Sequence, residues 1–244
     1  MTIIISLVKL YKITVYKVFI MAKILGIDEA GRGSVIGPLV MAGVVIDEKD
    51  NEKLREMGVK DSKLLTPKKR SDLFQKIKDI SLDHVVLQIS PSEIDTLRKV
   101  TNLNKIEAKM MAEIIKAMKA DKAYVDAPQV STEKFKILLL DLAKNDTEIV
   151  AENNADVNYP VCSAASILAK VTRDGEIEKL KKKVNYDFGV GYSHDERTVG
   201  FLKKLINDGK YPDFVRKSWI TASEIKKEKE QKSLKDYKKN INKR

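Results

Sequence analysis

Short apolar runs rich in β-branched residues alternate along this chain with stretches whose apolar residues recur at helical spacing, and this alternation constrains the fold more than any other feature. The runs are "AKILGIDEAG" (22–31), "PLVMAGVVID" (38–47), "HVVLQIS" (84–90), "KAYVDAP" (122–128) and "EIVAEN" (148–153). A glycine-rich link joins the first two, as between neighbouring strands, so the chain opens like a hairpin. Helical signals separate the others. Thr66 reads as an N-cap with Pro67 in the first helical position, and Ser90 with Glu93 makes a capping box around Pro91. Leu103, Ile106, Met110, Met111, Ile114 and Met118 mark one face of a helix between Asn102 and Ala120. Further helices are expected over 131–144 and over "YPVCSAASILAKVTRD" (159–174). The pattern predicts an α/β chain with a mixed central sheet flanked by helices.

After residue 185 the character changes. "NYDFGVGYSHDERT" is a loop rich in glycine and polar groups, leading to a helix that Gly209 ends. Thr221 with Glu224 then reads as a second capping box before a mostly charged tail. Residues 21–185 are expected to form the main domain, and 186–244 a small C-terminal helical region with a basic tail. Residues 1–20 are apolar, but Lys9, Lys12 and Lys17 interrupt every stretch that could serve as a signal peptide or membrane anchor. They are expected to be an extension outside the fold, with Met21 of "MAKILGID" as a second candidate start.

At 244 residues and 43% hydrophobic content the chain can bury a real core. Cys162 has no partner for a disulfide, and no Cys/His cluster points to zinc, so a reducing cytoplasm is the expected setting. Lysine and arginine exceed aspartate and glutamate by 46 to 35, a net charge of +11. That is the sign of a protein that meets phosphates, although a lysine-rich tail alone gives the same sum.

Four acids stand where apolar segments begin or end: Asp28, Glu29, Asp126 and Asp156. The ends of neighbouring strands lie about 5 Å apart, so such carboxylates can converge, and they then repel unless a cation sits among them. Hard oxygen ligands select Mg²⁺ or Mn²⁺, and two such ions about 4 Å apart serve phosphodiester hydrolysis. For any single Asp a helix cap or turn is the commoner role. The adjacent pair Asp28–Glu29 resists that explanation, because side chains alternate on a strand and both faces would carry a charge at the core edge. The glycines of "GRG" (31–33) leave the backbone bare for close approach of a sugar or phosphate, and Arg32 adds a forked donor. Alone, that pattern is an ordinary tight turn.

In order, "GIDEAGRG", "KDSKLL", "YVDAP", "ADVNYPVCSAASILAKVTRD" and "GVGYSHDERT" resemble the motifs of the type 2 ribonuclease H family, ribonuclease HII, in archaeal form, from about Met21 to Trp219. The resemblance implies a ribonuclease-H-like fold and a divalent-metal-dependent endonuclease. Such an enzyme cuts the RNA strand of RNA–DNA hybrids and cuts 5′ to ribonucleotides in duplex DNA by two-metal-ion hydrolysis, leaving 5′-phosphate and 3′-hydroxyl ends. It also implies that Asp28, Glu29, Asp126 and Asp156 are the catalytic, metal-binding carboxylates. Gly31, Arg32, Gly33 and Tyr192 would sense the ribose 2′-hydroxyl, the group that separates RNA from DNA. Ser62 and Lys63 would contact backbone phosphates, and Ser163 and Lys170 are further candidates for that role. Where the family commonly reads "GYPSDPRT", this chain reads "GYSHDERT". Losing both prolines leaves that loop less rigid. His194 is either an auxiliary proton carrier or an ordinary loop histidine. Ala164 and Ala165 would let their helix pack tightly on the sheet, and Arg173 would pair with Asp174, which is left out of the metal set.

"QKSLKDYK" (231–238) partly matches the box by which replication and repair proteins bind a sliding clamp, with Lys238 where a second aromatic belongs. Its alternative is a lysine-rich helix docking through Leu234 and Tyr237. Two other functions compete with the nuclease: a module that grips hybrids without cutting, and a hydrolase of small phosphate esters. The first would be expected to lack an acid, and the second fits poorly with the net charge. No membrane association is expected, and a monomer is.

Overall fold

Each apolar run becomes a strand in the computed structural model of the chain, which describes residues 22–59 and 65–241, with side chains as far as Gln231. The N-terminal extension and the pair Ser62 and Lys63 lie outside the described residues. β1 (Lys23–Ala30), β2 (Leu39–Asp47), β3 (Asp83–Ile89), β4 (Lys122–Asp126) and β5 (Glu148–Glu152) form one sheet in the order β3-β2-β1-β4-β5. β1 and β2 pair antiparallel, as the hairpin-like opening requires, and β3 joins β2 antiparallel. β1, β4 and β5 run parallel, so the sheet is mixed as expected.

The helices are α1 (Asn51–Glu56), α2 (Pro67–Ile80), α3 (Pro91–Leu97), α4 (Leu103–Met118), α5 (Thr132–Ala143), α6 (Ala155–Asn158), α7 (Pro160–Val184), α8 (Glu196–Asn207) and α9 (Ile220–Ile241). Their starts follow from local chemistry. Thr66 accepts the Lys69 N–H, Ser90 and Glu93 close both halves of their box, and Asn102 accepts the Lys105 N–H.

β1 shows how alternation builds two cores. Leu25 and Ile27 face α4 and α5, in a cluster with Met111, Ile115, Phe135 and Leu139. Ile24 faces α7, in a cluster with Val161, Ala164, Ala165 and Leu168. Each fully buried aliphatic side chain contributes about 1.5–3 kcal/mol. α7 lies close on β1: at Gly26 a Cβ would collide with the Val161 carbonyl. A third cluster joins Val35 and Ile36 from the β1–β2 link to Ile177 of α7 and to Phe188, Phe201, Leu202 and Val215. The C-terminal region therefore shares its core with the link that follows the two acids.

Three local expectations are corrected. α7 runs ten residues past Asp174, to Val184, because Ile177 on its charged second half is needed in the third cluster. Thr221 is not a cap: α9 begins at Ile220, and the Ser223 N–H already bonds the Trp219 carbonyl. Trp219 is stacked by Arg98 and Arg216, at 4.7 and 4.6 Å, so tertiary anchoring sets the start of this helix. The short helices α1 and α6 carry no periodicity long enough to announce them. Among the described residues no helix is long and apolar enough to cross a membrane.

Candidate active site

The parallel register places Ile27 beside Val125, so the next step along each strand brings Asp28 of β1 level with Asp126 of β4. Both lie on the α7 face, in phase with Ile24 and Tyr124. Glu29 takes the other face, in phase with Leu25 and Ile27. Asp156 arrives from a different direction, on α6, whose start is turned by Asn154 in a left-handed conformation at φ 58°.

A cavity of about 310 Å³ opens over this sheet edge. Asp28, Glu29, Gly31, Arg32, Gly33, Asp126, Lys170 and Tyr192 line it, with Ser166. Eight of the residues expected at the site thus meet at one place. Asp156 does not line the cavity and is almost fully buried, yet its charge reaches Asp28. Ser163 stands apart: it is buried and donates to the Asp156 carbonyl, so the phosphate contact expected of it is corrected to a structural bond within the site's support. One helical turn along, Ser166 is the serine that reaches the cavity and bonds Asp28.

The acids are crowded. Burial first, then the Asp126 charge and more weakly Asp156, push the Asp28 carboxyl up to about 8, against the Ser166 hydroxyl and the Glu29 N–H, which hold it down. The Glu29 N–H donates to Asp28 Oδ1 at 2.6 Å. Burial, Asp28, Glu107 and Asp126 drive Glu29 well above the usual carboxylate range, with only Arg32 opposing. Glu29 Oε2 is buried and has no hydrogen-bond donor. Among the described residues no three His, Cys, Asp or Glu side chains stand as a finished coordination cage. The donor set still fits a hard divalent cation: all oxygens, with Asp28 and Glu29 pushed toward the protonated form by burial and by their acidic neighbours, and one oxygen of Glu29 buried and unanswered.

Opposite the acids the turn is firmly held. Gly31 sits at φ 84°, and a Cβ there would come within 2.6 Å of Arg173 Nε and of the Pro38 carbonyl. Gly33 is different: a Cβ there meets nothing nearer than Tyr192 at 4.0 Å, so the fold itself does not require its bareness. Arg216, fully buried, donates to the carbonyls of Gly31 (2.7 Å), Arg32 (2.9 Å) and Gly37 (3.1 and 3.2 Å). Across a trans peptide C=O and N–H point oppositely, and no cis bond occurs among the described residues, so the Arg32 and Gly33 N–H groups point away from Arg216. Arg173, also fully buried, lays its guanidinium 4.6 Å from the Tyr192 ring centre and donates to the Val190 carbonyl at 2.8 Å. Backbone pairing of Ser34 with Tyr192 fixes the loop to the turn. This contact gives the loop an anchor that does not depend on the two missing prolines. His194 stacks beside Tyr192 at 5.4 Å.

The pair expected between Arg173 and Asp174 is long, 3.7 Å. Asp174 is chiefly engaged by Lys170 at 2.7 Å and by Arg70 at 3.3 Å. Arg216, Glu107 and Ser166 were not among the residues singled out from the sequence, and Arg173 was expected only to pair with Asp174. Only Ser166 carried a usable signal, the i,i+4 spacing to Lys170 on one face of α7.

A mixed five-stranded sheet with acids on its central strand β1 and the neighbouring β4, flanked by helices, is the ribonuclease-H-like fold. The family model for ribonuclease HII matches residues 25–222, and the chain belongs to that family, whose members are ribonuclease H enzymes. Ribonuclease HII of Pyrococcus horikoshii is 46% identical over 206 residues, covering 83% of this chain and 92% of the relative. The crystal structure of ribonuclease H2 from Pyrococcus horikoshii OT3 superposes with a TM-score of 0.79 at 45% identity, covering 85% of this chain and 99% of that one. Ribonuclease HII in the PCNA:RNase HII complex from Archaeoglobus fulgidus matches with a TM-score of 0.76 at 44% identity, covering 82% and 95%.

Proposed function

We propose that this chain hydrolyses the RNA strand of RNA–DNA hybrids and cuts on the 5′ side of a ribonucleotide embedded in duplex DNA, leaving 5′-phosphate and 3′-hydroxyl ends. The observation that carries the reading is the single cavity in which Asp28, Glu29 and Asp126 face the Gly31–Gly33 turn and Tyr192. Asp28, Glu29, Asp126 and Asp156 are the residues that would hold Mg²⁺ or Mn²⁺. When bound, such ions neutralise the attacked phosphate, lower the pKa of water and stabilise the leaving oxygen.

The chain's own residues do the rest. The outward N–H groups of Arg32 and Gly33 offer donors to a ribose hydroxyl, and the Tyr192 ring, braced by Arg173, packs against the sugar. Lys170 adds positive charge at the cavity wall for the phosphate. Ser62 and Lys63 extend the phosphate contacts. The alternative of a non-cleaving hybrid binder is disfavoured by the crowded acids, which a binding module has no need to bury. The test is incubation with a DNA duplex carrying one ribonucleotide, with Mg²⁺, Mn²⁺ or EDTA, beside Asp126→Asn. One metal-dependent cut 5′ to the ribonucleotide, reduced at least about 10²-fold in the variant, is expected. Tight binding without a cut would favour the binder.

The chain also binds a sliding clamp through residues 231–238, in this reading. The backbone there is helical, within α9, and a solved structure at 44% identity is that of a PCNA:RNase HII complex. Calorimetry of the full chain against its cognate clamp, with and without residues 231–244, tests it: heat that vanishes with the truncation is expected.

A further inference from the structure

Glu107 lies in α4 with no exposed surface, in a stretch where Ile106, Ala108, Met110 and Met111 are also buried. A carboxylate there is costly unless a charge answers it. Arg32 does. Its Nε lies 3.0 and 3.1 Å from the two Glu107 oxygens, and its Nη2 donates to Asn104, one turn earlier, at 2.7 Å. The Asn104 amide donates onward to Gln129 at 3.1 Å, so the anchor is itself anchored. Two of the three guanidinium nitrogens of Arg32 are thereby committed to α4. The forked phosphate donor expected of Arg32 is in large part a tether.

Two attachments then define the turn. Arg216 holds its carbonyls from the C-terminal side, and Glu107 holds its side chain from the helix behind the sheet. A turn gripped only through its carbonyls can still rock about that line of contacts. A second, off-axis attachment removes the motion.

We propose that Glu107 is a positioning residue for the reaction: through Arg32 it fixes the height at which the Arg32 and Gly33 N–H groups meet the ribose. The inference rests on the ribose-reading role given above to the turn. It makes Glu107 a determinant of where the strand is cut, beyond the effect of its charge on Glu29, one of the four acids that would hold the cation; Asn104→Ala, which leaves that charge in place, separates the two. A loosened turn harms a substrate with one 2′-hydroxyl most, because a long hybrid offers a ribose in every neighbouring register.

The experiment measures kcat and KM for Glu107→Gln, Arg32→Ala and the double variant, at saturating Mn²⁺, on a duplex with one ribonucleotide and on a long hybrid. Glu107→Gln keeps the shape and removes the charge. It is expected to lower kcat/KM about tenfold on the single ribonucleotide and less on the hybrid. In the Arg32→Ala background the same change should add less than about twofold, since the residue through which it acts is gone. Asn104→Ala, which leaves Glu107 in place, should move the substrate ratio in the same direction even if Glu107→Gln fails to fold. Losses that multiply in the double variant, or a substrate ratio unchanged by Asn104→Ala and Glu107→Gln, would overturn the role. Wild-type cutting of the same duplexes is the separate check on the function: its failure removes both readings, whereas normal wild-type cutting with unchanged ratios removes only this one.

Discussion

The two walls of the cavity are built on opposite principles. On the acid wall Asp28, Glu29 and Asp126 repel one another, and a buried oxygen of Glu29 lacks a donor. On the wall of the Gly31–Gly33 turn the carbonyls of Gly31, Arg32 and Gly37 all accept from one buried arginine, and Ser34 adds a second donor to Gly31. One wall is left electrostatically unfinished; on the other the turn's carbonyls are answered within the chain, although Nε and Nη1 of the neighbouring Arg173 are buried without hydrogen-bond partners. The difference teaches which part awaits a ligand for its charge balance and which must be rigid before any ligand arrives.

Three measurements would break or sharpen that contrast. The largest effect is expected from Arg216→Ala, which strips donors from buried carbonyls and leaves a cavity. Urea unfolding should show a loss of at least about 3 kcal/mol, since each unsatisfied buried acceptor costs about 1–3 kcal/mol. A loss below about 1 kcal/mol would mean the turn is held by other contacts.

The acid wall should behave in the opposite sense, gaining stability from an added charge. The folded chain keeps a proton on Asp28 that the unfolded chain releases above about pH 4, with the folded value pushed up to about 8. Stability without divalent ions should therefore fall as pH rises from 4 to 8, the direction linkage requires when the native state binds more protons. Mn²⁺ at a hundred times its dissociation constant should restore about 2.7 kcal/mol at pH 8. A stability that rises over that interval in EDTA would deny the repulsion.

The smallest change is expected for the fold of Gly33→Ala. With 4.0 Å of clearance the melting free energy should shift by less than about 1 kcal/mol, while cutting of a single-ribonucleotide duplex drops sharply. Equal loss of stability and activity would make Gly33 a structural residue only.

The acid wall was largely legible in the sequence because a short apolar run ending in an acid is a local pattern, and Asp28, Glu29 and Asp126 need only strand geometry to be placed. The supports of the turn were not. Arg216 meets Gly31 across 185 residues of chain, and buried arginines and Glu107 have the same letters as the solvated ones around them. The strands and the helices α2 to α4 followed from periodicity and caps, whereas the charged second half of α7 was fixed by Ile177 in the third cluster and the start of α9 by the stacking of Trp219, which no local rule contains.

The reach of Arg216 also orders events in time. A chain made from its N-terminus has every acid by Asp156, but the hook on the Gly31 and Arg32 carbonyls comes only with Arg216, near the end. On the function proposed above, a nascent polypeptide therefore carries the acids that would cut before it carries the hook that steadies the turn that would read the sugar.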